Sequence, residues 1–128
     1  MENYISIKGL SKVYGKGRSK FHALDDVNIS IGKGMFGLLG PNGAGKTTMM
    51  KILATLQKPS TGKISIFGYD LKKDRKHIRK VLGYLPQDFG VYDSLYAGEF
   101  LDYIARLNGI KDRKKRKSAV DEMLELTN

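Results

Sequence analysis

The chain contains no cysteine, so it forms neither disulfide bonds nor thiolate metal sites. It also lacks long hydrophobic runs, because Lys, Arg and Gly interrupt every apolar stretch after a few residues, and we therefore expect no membrane-spanning segment. Residues 1–4 include an acid and no apolar segment, which argues against a secretory signal peptide. Together these absences suit a protein of the reducing cytosol.

Acidic residues are scarce beside basic ones. The 128 residues include 23 Lys and Arg against 13 Asp and Glu, which gives a formal net charge of +10 at pH 7. Such an excess favours polyanionic partners, namely nucleotides, acidic lipid headgroups or nucleic acid, without selecting among them. The length corresponds to about one domain with a single hydrophobic core.

Residues 40–48 contain the pattern G-x-x-x-x-G-K-[ST], which is typical of a phosphate-binding loop. A backbone can bring several N–H groups around one phosphate only where glycines remove Cβ atoms and permit positive φ angles. We expect Lys46 to neutralise the β- and γ-phosphate oxygens and the Thr47 hydroxyl to reach Mg²⁺. The predicted nucleotide-binding residues of the loop are Gly40, Pro41, Asn42, Gly43, Ala44, Gly45, Lys46, Thr47 and Thr48.

The apolar spacing around this loop predicts an α/β fold. A buried strand over residues 35–39 precedes the loop, and a helix over residues 47–56 follows it. The other predicted strands are residues 4–8, 24–31, 63–67 and 81–85, and the other predicted helices are residues 70–80, residues 97–107 and a last helix capped by Asp112. The part before the loop is therefore expected to consist mostly of antiparallel strands.

Five segments of the sequence together resemble the ATP-binding subunit of an ABC transporter. They are Lys12-Val13-Tyr14-Gly15, Ala23-Leu24-Asp25-Asp26-Val27, the phosphate-binding loop, Pro59-Ser60-Thr61-Gly62 and Gly83-Tyr84-Leu85-Pro86-Gln87. The resemblance extends from residue 4 to residue 128, and around Gln87 it is closest to exporter subunits of the multidrug and antibiotic-resistance type. It implies a P-loop NTPase core with an N-terminal antiparallel β segment and the start of an α-helical subdomain. It also implies ATP and Mg²⁺ as cofactors.

The resemblance assigns roles to individual residues. Tyr14 matches the aromatic residue that stacks on adenine, a contact worth about 1–3 kcal/mol per base that depends on the ring rather than on the hydroxyl. Gln87 matches the glutamine of the Q-loop, which in the family contacts Mg²⁺ and the attacking water. Gln87 and Lys46 are thus the candidate catalytic residues, and Thr47 and Gln87 are the candidate metal ligands.

The resemblance also implies an organisation and a set of partners. Residues 1–86 correspond to the ATP-binding core, and residues 87–128 correspond to the Q-loop and the beginning of the helical subdomain. In the family this subdomain docks on a transmembrane permease subunit, and two nucleotide-binding domains form a dimer. We therefore expect a cytoplasmic protein that is peripheral to the inner face of the cell membrane, with no nucleic-acid partner.

Some parts of the family pattern do not occur in the 128 residues. We find no LSGGQ signature, no apolar strand that ends in Asp-Glu and no later switch histidine, so the sequence resembles the N-terminal part of a truncated domain. The pair Asp25-Asp26 does not replace the missing acids, because it lies within the early antiparallel segment and not at a strand end. Tyr96 stands where the family usually has a threonine three residues before Glu99, which predicts a helix cap weaker by about 1 kcal/mol.

Two other functions stay open from the sequence. One is a different phosphate-loop enzyme, a small-molecule kinase or a GTPase, although no N-K-x-D guanine motif is present. The other is a nucleic-acid-binding relative or a basic binding module, which the net charge and the basic run over residues 111–117 suggest. The pattern G-x-G-x-x-G at residues 32–37 does not indicate a dinucleotide site, because a predicted strand follows it where a helix belongs.

The missing acids predict that the 128-residue chain binds nucleotide but does not hydrolyse it. Hydrolysis needs a water aligned behind the γ-phosphate, and Gln87 alone orients water poorly. Phosphate release by the purified chain should therefore not exceed that of a Lys46→Ala control. Release that depends on Lys46 would contradict this prediction and point to Asp25, Asp26 or Asp88 as catalytic carboxylates.

Overall fold

Four antiparallel strands form one sheet in the first part of the chain. The computed structural model describes residues 4–87 and 94–127. The strands are β1 (Ile5–Tyr14), β2 (Phe21–Ile31), β3 (Thr61–Ile66) and β4 (Tyr69–Asp70), and their order across the sheet is β2-β1-β3-β4. A 3-10 turn over Gly17–Ser19 connects β1 to β2. Because β1 lies between β2 and β3, Ile7 is paired with Ile29 on one side and Ile64 on the other.

The described helices are α1 (Lys46–Leu53), α2 (Arg75–Val81), α3 (Ala97–Leu107) and α4 (Arg113–Leu126). The chain divides between Leu85 and Pro86 into two compact units. The first unit contains the sheet with α1 and α2, and the second contains α3 and α4. In residues 4–87 and 94–127, no helix is long and apolar enough to cross a membrane. The assignment of the two parts to an ATP-binding core and a helical subdomain stays a prediction.

The hydrophobic core of the first unit lies between the sheet and the first two helices. Ile7 and Leu10 of β1 are almost completely buried. They lie three residues apart, so strict alternation would put them on opposite faces, and the register shift between them brings both side chains to the core. On α1 the buried residues Met49, Ile52 and Leu53 follow a spacing of three and four, so they share one face of the helix. Each such side chain contributes about 1.5–3 kcal/mol to folding when fully buried. The other members of the core are Leu24, Ile64, Ile66, Leu71 and Ile78.

Two glycines let β1 and β3 approach each other where the register shifts. Gly9 has a φ of +62°, and its N–H donates to the Asn28 side-chain oxygen at 2.8 Å instead of continuing the ladder. Gly62 has a φ of +108°, and a Cβ atom there would lie 2.7 Å from the Gly9 carbonyl oxygen and 2.7 Å from the Leu10 Cα. The bulge in β1 therefore requires a residue without a side chain on the facing strand.

Two of the predicted strands are wrong. The strand predicted over residues 35–39 adopts no regular structure, and Met35 and Leu39 are almost fully exposed instead of buried. In the strand predicted over residues 81–85, Val81 is the last residue of α2 and residues 82–85 adopt no regular structure. An apolar run becomes a buried strand only when neighbouring strands take up its backbone hydrogen bonds. Within the described sheet, β2-β1-β3-β4, no strand pairs with either segment. In addition, α2 begins at Arg75 and not at residue 70.

In the second unit, one arginine joins the two helices to the turn between them. Arg116 of α4 is buried, and its Nε donates to the Asp102 carboxylate of α3 at 2.8 Å. Its Nη1 donates to the carbonyl oxygens of Lys111 at 2.7 Å and Ile110 at 3.2 Å. The buried guanidinium is therefore both neutralised and hydrogen-bonded, which is the condition for burying a charge without large cost.

The helix starts of the second unit are capped. The Asp112 carboxylate accepts from the Lys115 N–H at 2.9 Å, so the predicted cap of α4 is confirmed. At the start of α3, the Glu99 carboxylate accepts from the Tyr96 N–H at 2.9 Å. Glu99 thus supplies the acidic half of a capping box. This hydrogen bond compensates in part for the weak capping expected of Tyr96 at the N-cap position.

The close approach at Gly62 predicts an unequal response to two glycine substitutions. Gly62→Ala introduces both a positive-φ penalty and an overlap with the β1 backbone, whereas Gly68→Ala, at a φ of +79°, has nothing within 4 Å of the added Cβ. We expect Gly68→Ala to cost about 1 kcal/mol from backbone strain. Gly62→Ala should cost about 1–3 kcal/mol more, because the strands must also move apart. Urea denaturation of both variants measures the difference, and equal stabilities would contradict the assigned overlap.

Candidate functional site

The phosphate-binding loop, residues 40–48, contacts β2 where α1 begins. Gly45 is the N-cap residue of α1 and has a left-handed conformation with a φ of +88°. A Cβ atom at Gly45 would overlap the Ala23 carbonyl oxygen and lie 2.7 Å from Leu24 Cδ2. The glycine is thus required twice, by its backbone conformation and by the approach of the loop to the strand. This contact fixes where α1 begins.

The start of α1 leaves several backbone N–H groups without a helical partner. The first helical hydrogen bond runs from the Met49 N–H to the Gly45 carbonyl at 2.9 Å, and no side chain caps the helix start. The N–H groups of the four preceding residues, 45–48, therefore have no acceptor within the helix. Such groups, together with the positive end of the helix dipole, form an anion-binding arrangement. Earlier in the loop, the Ala44 N–H donates to the Pro41 carbonyl at 3.2 Å and closes a turn.

The Lys46 side chain folds back over its own loop. Its ammonium donates to the carbonyl oxygen of Gly40 and, at 2.6 Å, to that of Pro41. Both acceptors are neutral, so the loop keeps the full positive charge of Lys46 for an anion. A phosphate oxygen that replaced these carbonyls would form a stronger, charge-assisted hydrogen bond.

Tyr14, at the end of β1, lies beside the same helix start. Its phenol oxygen accepts a hydrogen bond from the Gln57 side chain, and the Lys12 ammonium lies 5.1 Å from the centre of its ring. The nearby Thr48 side chain is the main cause that lowers the pKa of Tyr14. Gln57 and the charges of Lys12 and Lys51 lower it further, and partial burial opposes them. The structure therefore brings together the predicted base-stacking residue and Thr48 of the phosphate-binding loop.

The sequence predicted no role for the Tyr14 hydroxyl or for Gln57. In the structure the hydroxyl joins the ring to the turn after α1, since Gln57 follows the end of that helix. Lys12 adds a second connection, because its ammonium also donates to the Lys58 carbonyl at 2.9 Å. No local sequence pattern indicates these contacts, since they join residues more than forty positions apart.

The predicted metal ligands do not all lie in one unit. Thr47 is exposed in the first turn of α1, and Gln87 is exposed in the second unit. Over residues 4–87 and 94–127, no group of three or more His, Asp or Glu side chains is arranged to hold a metal ion. A Mg²⁺ ion at Thr47 would therefore take most of its ligands from phosphate and water oxygens, as it usually does. The role of Gln87 stays a prediction.

The acidic pair Asp25-Asp26 lies within the antiparallel strand β2, as predicted from the sequence. Asp25 is exposed and lies 3.9 Å from the His22 ring nitrogen. Asp26 has a φ of +47°, and its N–H donates to the Ser11 hydroxyl oxygen at 2.9 Å. Both acids thus lie in an irregular part of the β1–β2 pairing.

Comparison with known proteins identifies the family. Residues 24–128 match the family described as ABC transporter. The chain belongs to the ABC transporter family. It is 42% identical to the doxorubicin resistance ATP-binding protein DrrA of Mycobacterium tuberculosis over 122 residues, which cover 94% of this chain and 36% of DrrA. It is 39% identical to the bacitracin transport ATP-binding protein BcrA of Bacillus licheniformis over 127 residues, which cover 98% of this chain and 39% of BcrA.

A solved ABC cassette has the same fold. The dimeric post-hydrolysis state of the ATP-binding cassette MJ0796, bound to ADP and Pi, superposes with a TM-score of 0.78 at 28% identity. The match covers 94% of this chain and 56% of that chain. The predicted family and the predicted α/β fold class are confirmed. This chain therefore spans less than two fifths of the two curated relatives and about half of the solved ABC cassette.

The contacts of Tyr14 predict an altered titration. Its folded-state pKa is lowered, chiefly by Thr48, so Thr48→Val should raise that pKa towards the ordinary tyrosine value. A lowered folded-state pKa adds stability above the unfolded-state pKa, and this gain is lost as the pH falls through the folded-state pKa. Alkaline titration of phenolate absorbance, with Tyr14→Phe subtracted, isolates this residue. An unchanged midpoint in Thr48→Val would exclude the Thr48 contact.

Proposed function

We propose that this chain is the nucleotide-binding part of an ATP-binding subunit of an ABC transporter, which couples ATP binding and hydrolysis to transport by a membrane partner. The observation that carries the proposal is the phosphate-binding loop at the start of α1. There, uncapped N–H groups and the Lys46 ammonium face the same loop, and Tyr14 lies beside Thr48. Membership of the ABC transporter family favours this function over a kinase or a GTPase.

The donor set of the loop fits a triphosphate. The N–H groups at the start of α1 would hold phosphate oxygens, and Lys46 would neutralise charge on the β- and γ-phosphates. A Cβ at Gly43, which has a φ of +87°, would meet nothing within 4 Å, so the loop is open there. Residues 40–48 would thus hold the phosphates while Tyr14 stacks on the base, and the bound ATP would supply the anhydride bond that is cleaved.

The metal and catalytic assignments extend the same proposal. Thr47 would place its hydroxyl on Mg²⁺, because it is exposed in the first turn of α1 next to Lys46. Gln87 would contribute to the metal site and orient water, as its resemblance to the Q-loop glutamine implies. Lys46 and Gln87 are then the catalytic residues that this chain supplies.

The partners are proposed from the relatives. DrrA is a doxorubicin resistance protein and BcrA is a bacitracin transport protein, which favours an exporter of the antibiotic or multidrug type. We infer a transmembrane permease subunit and a second nucleotide-binding domain as partners, since the MJ0796 cassette is dimeric. The protein would then be cytoplasmic and peripheral to the inner face of the membrane, with residues 87–128 towards the permease and no nucleic-acid partner.

A pair of lysine variants tests the nucleotide site. Lys46→Ala removes the ammonium over the loop, and Mg-ATP affinity should fall by at least about a hundredfold, because charge-assisted contacts to phosphate are lost. Lys76→Ala is the matched control, since it removes one exposed lysine from α2 and should leave the affinity unchanged. Isothermal titration measures both variants, with circular dichroism as a check of folding. Equal affinities in two folded variants would refute the site.

A further inference from the structure

A second concave site lies at the other end of α1 from the phosphate-binding loop. It is a cavity of about 750 Å³ formed by the turn after α1, the start of β3 and the turn between β4 and α2. Small-molecule sites commonly have volumes of about 300–1,000 Å³, so this cavity has the size of a ligand site. We call it the basic cavity.

Positive charge dominates the lining of the basic cavity. Five of the residues that line it carry a cationic side chain, namely Lys58, Lys63, Lys72, Lys73 and Arg75. In the described residues, 4–87 and 94–127, none of the five forms a salt bridge with a carboxylate. Charges of one sign along a concave wall reinforce one another, because the surrounding protein focuses their field into the cavity. The cavity is therefore suited to a ligand with several negative charges.

The one carboxylate in the lining is already hydrogen-bonded to backbone. Asp70 accepts from the N–H groups of Lys72 and Lys73, each at 2.9 Å. The hydrogen bond from Lys73 is the main cause that lowers the pKa of Asp70, and the one from Lys72 adds to it. Asp70 therefore shapes the turn that carries these two lysines, and its Oδ1 accepts both of these backbone hydrogen bonds.

The carbonyl end of α1 would repel an anion, but two arginines offset it. Arg75 donates to the Thr55 carbonyl at 2.6 Å, and Arg79 donates to the same carbonyl at 3.2 Å and to the Thr55 hydroxyl at 2.6 Å. Cations at the end of a helix compensate the negative end of its dipole. Arg75 is thereby held at the cavity wall with its charge in place.

Hydroxyl groups complete the lining. The Ser60 hydroxyl oxygen accepts from the Val13 N–H at 3.0 Å, which leaves its proton free to donate. Thr61, at the start of β3, also carries a hydroxyl. Lysine ammonium groups and hydroxyl groups are both hydrogen-bond donors. A lining made of them binds a phosphate ligand better than a ligand with a single carboxylate, because each phosphate presents more acceptor oxygens.

We propose that the basic cavity binds a small anion that carries two or more phosphate groups. The cavity is concave and of ligand size, and its five cations exceed what one phosphate can neutralise. The same chemistry is offered by a soluble polyphosphorylated compound and by the headgroup of a lipid with two phosphates. The site is separate from the phosphate-binding loop, because none of residues 40–48 lines it.

The test uses the whole chain in a Lys46→Ala background, so that the phosphate-binding loop does not contribute. A cavity variant carries Lys63→Gln, Lys72→Gln and Lys73→Gln. A matched control variant carries Lys16→Gln, Lys33→Gln and Lys76→Gln, which removes the same charge from exposed lysines outside the cavity. Isothermal titration with inorganic tripolyphosphate measures the soluble source, and co-sedimentation with phosphatidylcholine vesicles with and without cardiolipin measures the lipid source.

For the probe that binds, we expect the cavity variant to lose at least about tenfold in affinity, because contacts to charged oxygens are lost. The control variant should lose less than about twofold at physiological salt, because distant charges are screened. If only the cavity variant loses affinity for tripolyphosphate, the ligand is a soluble compound. If only the cavity variant loses binding to cardiolipin vesicles and neither variant changes with tripolyphosphate, the ligand is a lipid headgroup. Equal losses in the two variants, or no binding of either probe, would overturn the proposal. A version of the cavity variant with Arg instead of Gln keeps the charge and should retain binding.

Discussion

The contact between Gly45 and β2 is the constraint on which the candidate site depends. Only a residue without a Cβ lets the loop backbone reach the Ala23 carbonyl, and only a permissive residue adopts the required φ. The Gly45 carbonyl then accepts the first hydrogen bond of α1. The position of that first turn determines which backbone N–H groups lack a helical acceptor. It also determines where the Lys46 side chain leaves the helix and places Thr48 beside Tyr14. The buried face of α1 packs in the core that includes β1, so loop and sheet form one structure.

Features that depend on local signals were predictable from the sequence, and features that depend on distant partners were not. The helix over residues 97–107 and its successor capped by Asp112 were predicted correctly, because periodicity and one side chain specify them. The prediction of a strand at residues 35–39 was wrong, because composition shows that a segment is apolar but not whether a neighbouring strand pairs with it. Likewise, the hydrogen bond between Gln57 and Tyr14 joins positions 43 residues apart, so no pattern within either segment predicts it.

The two ends of α1 attract negative charge by different physical means. At its start the attraction comes from backbone N–H groups and the helix dipole, with Lys46 as a single added charge. At its other end the helix dipole disfavours an anion. Arg75 and Arg79, which donate to Thr55, and the surrounding lysines outweigh this effect with their positive charge. A backbone site has fixed geometry and therefore selects for shape. A site made of long lysine side chains adapts to its ligand and selects mainly for charge.

The conformation of Lys46 has a consequence for the thermodynamics of recognition. A lysine that is free in solvent loses up to about 2 kcal/mol of conformational entropy when a ligand immobilises it. Here the ammonium is already held by the carbonyls of Gly40 and Pro41, so most of that ordering takes place when the chain folds. An arriving anion only exchanges one set of oxygen acceptors for another. The loop is thus pre-organised, because its own carbonyl oxygens hold Lys46 where the oxygens of the anion would otherwise hold it. Binding of the anion therefore costs less conformational entropy than it would with a lysine that is free in solvent.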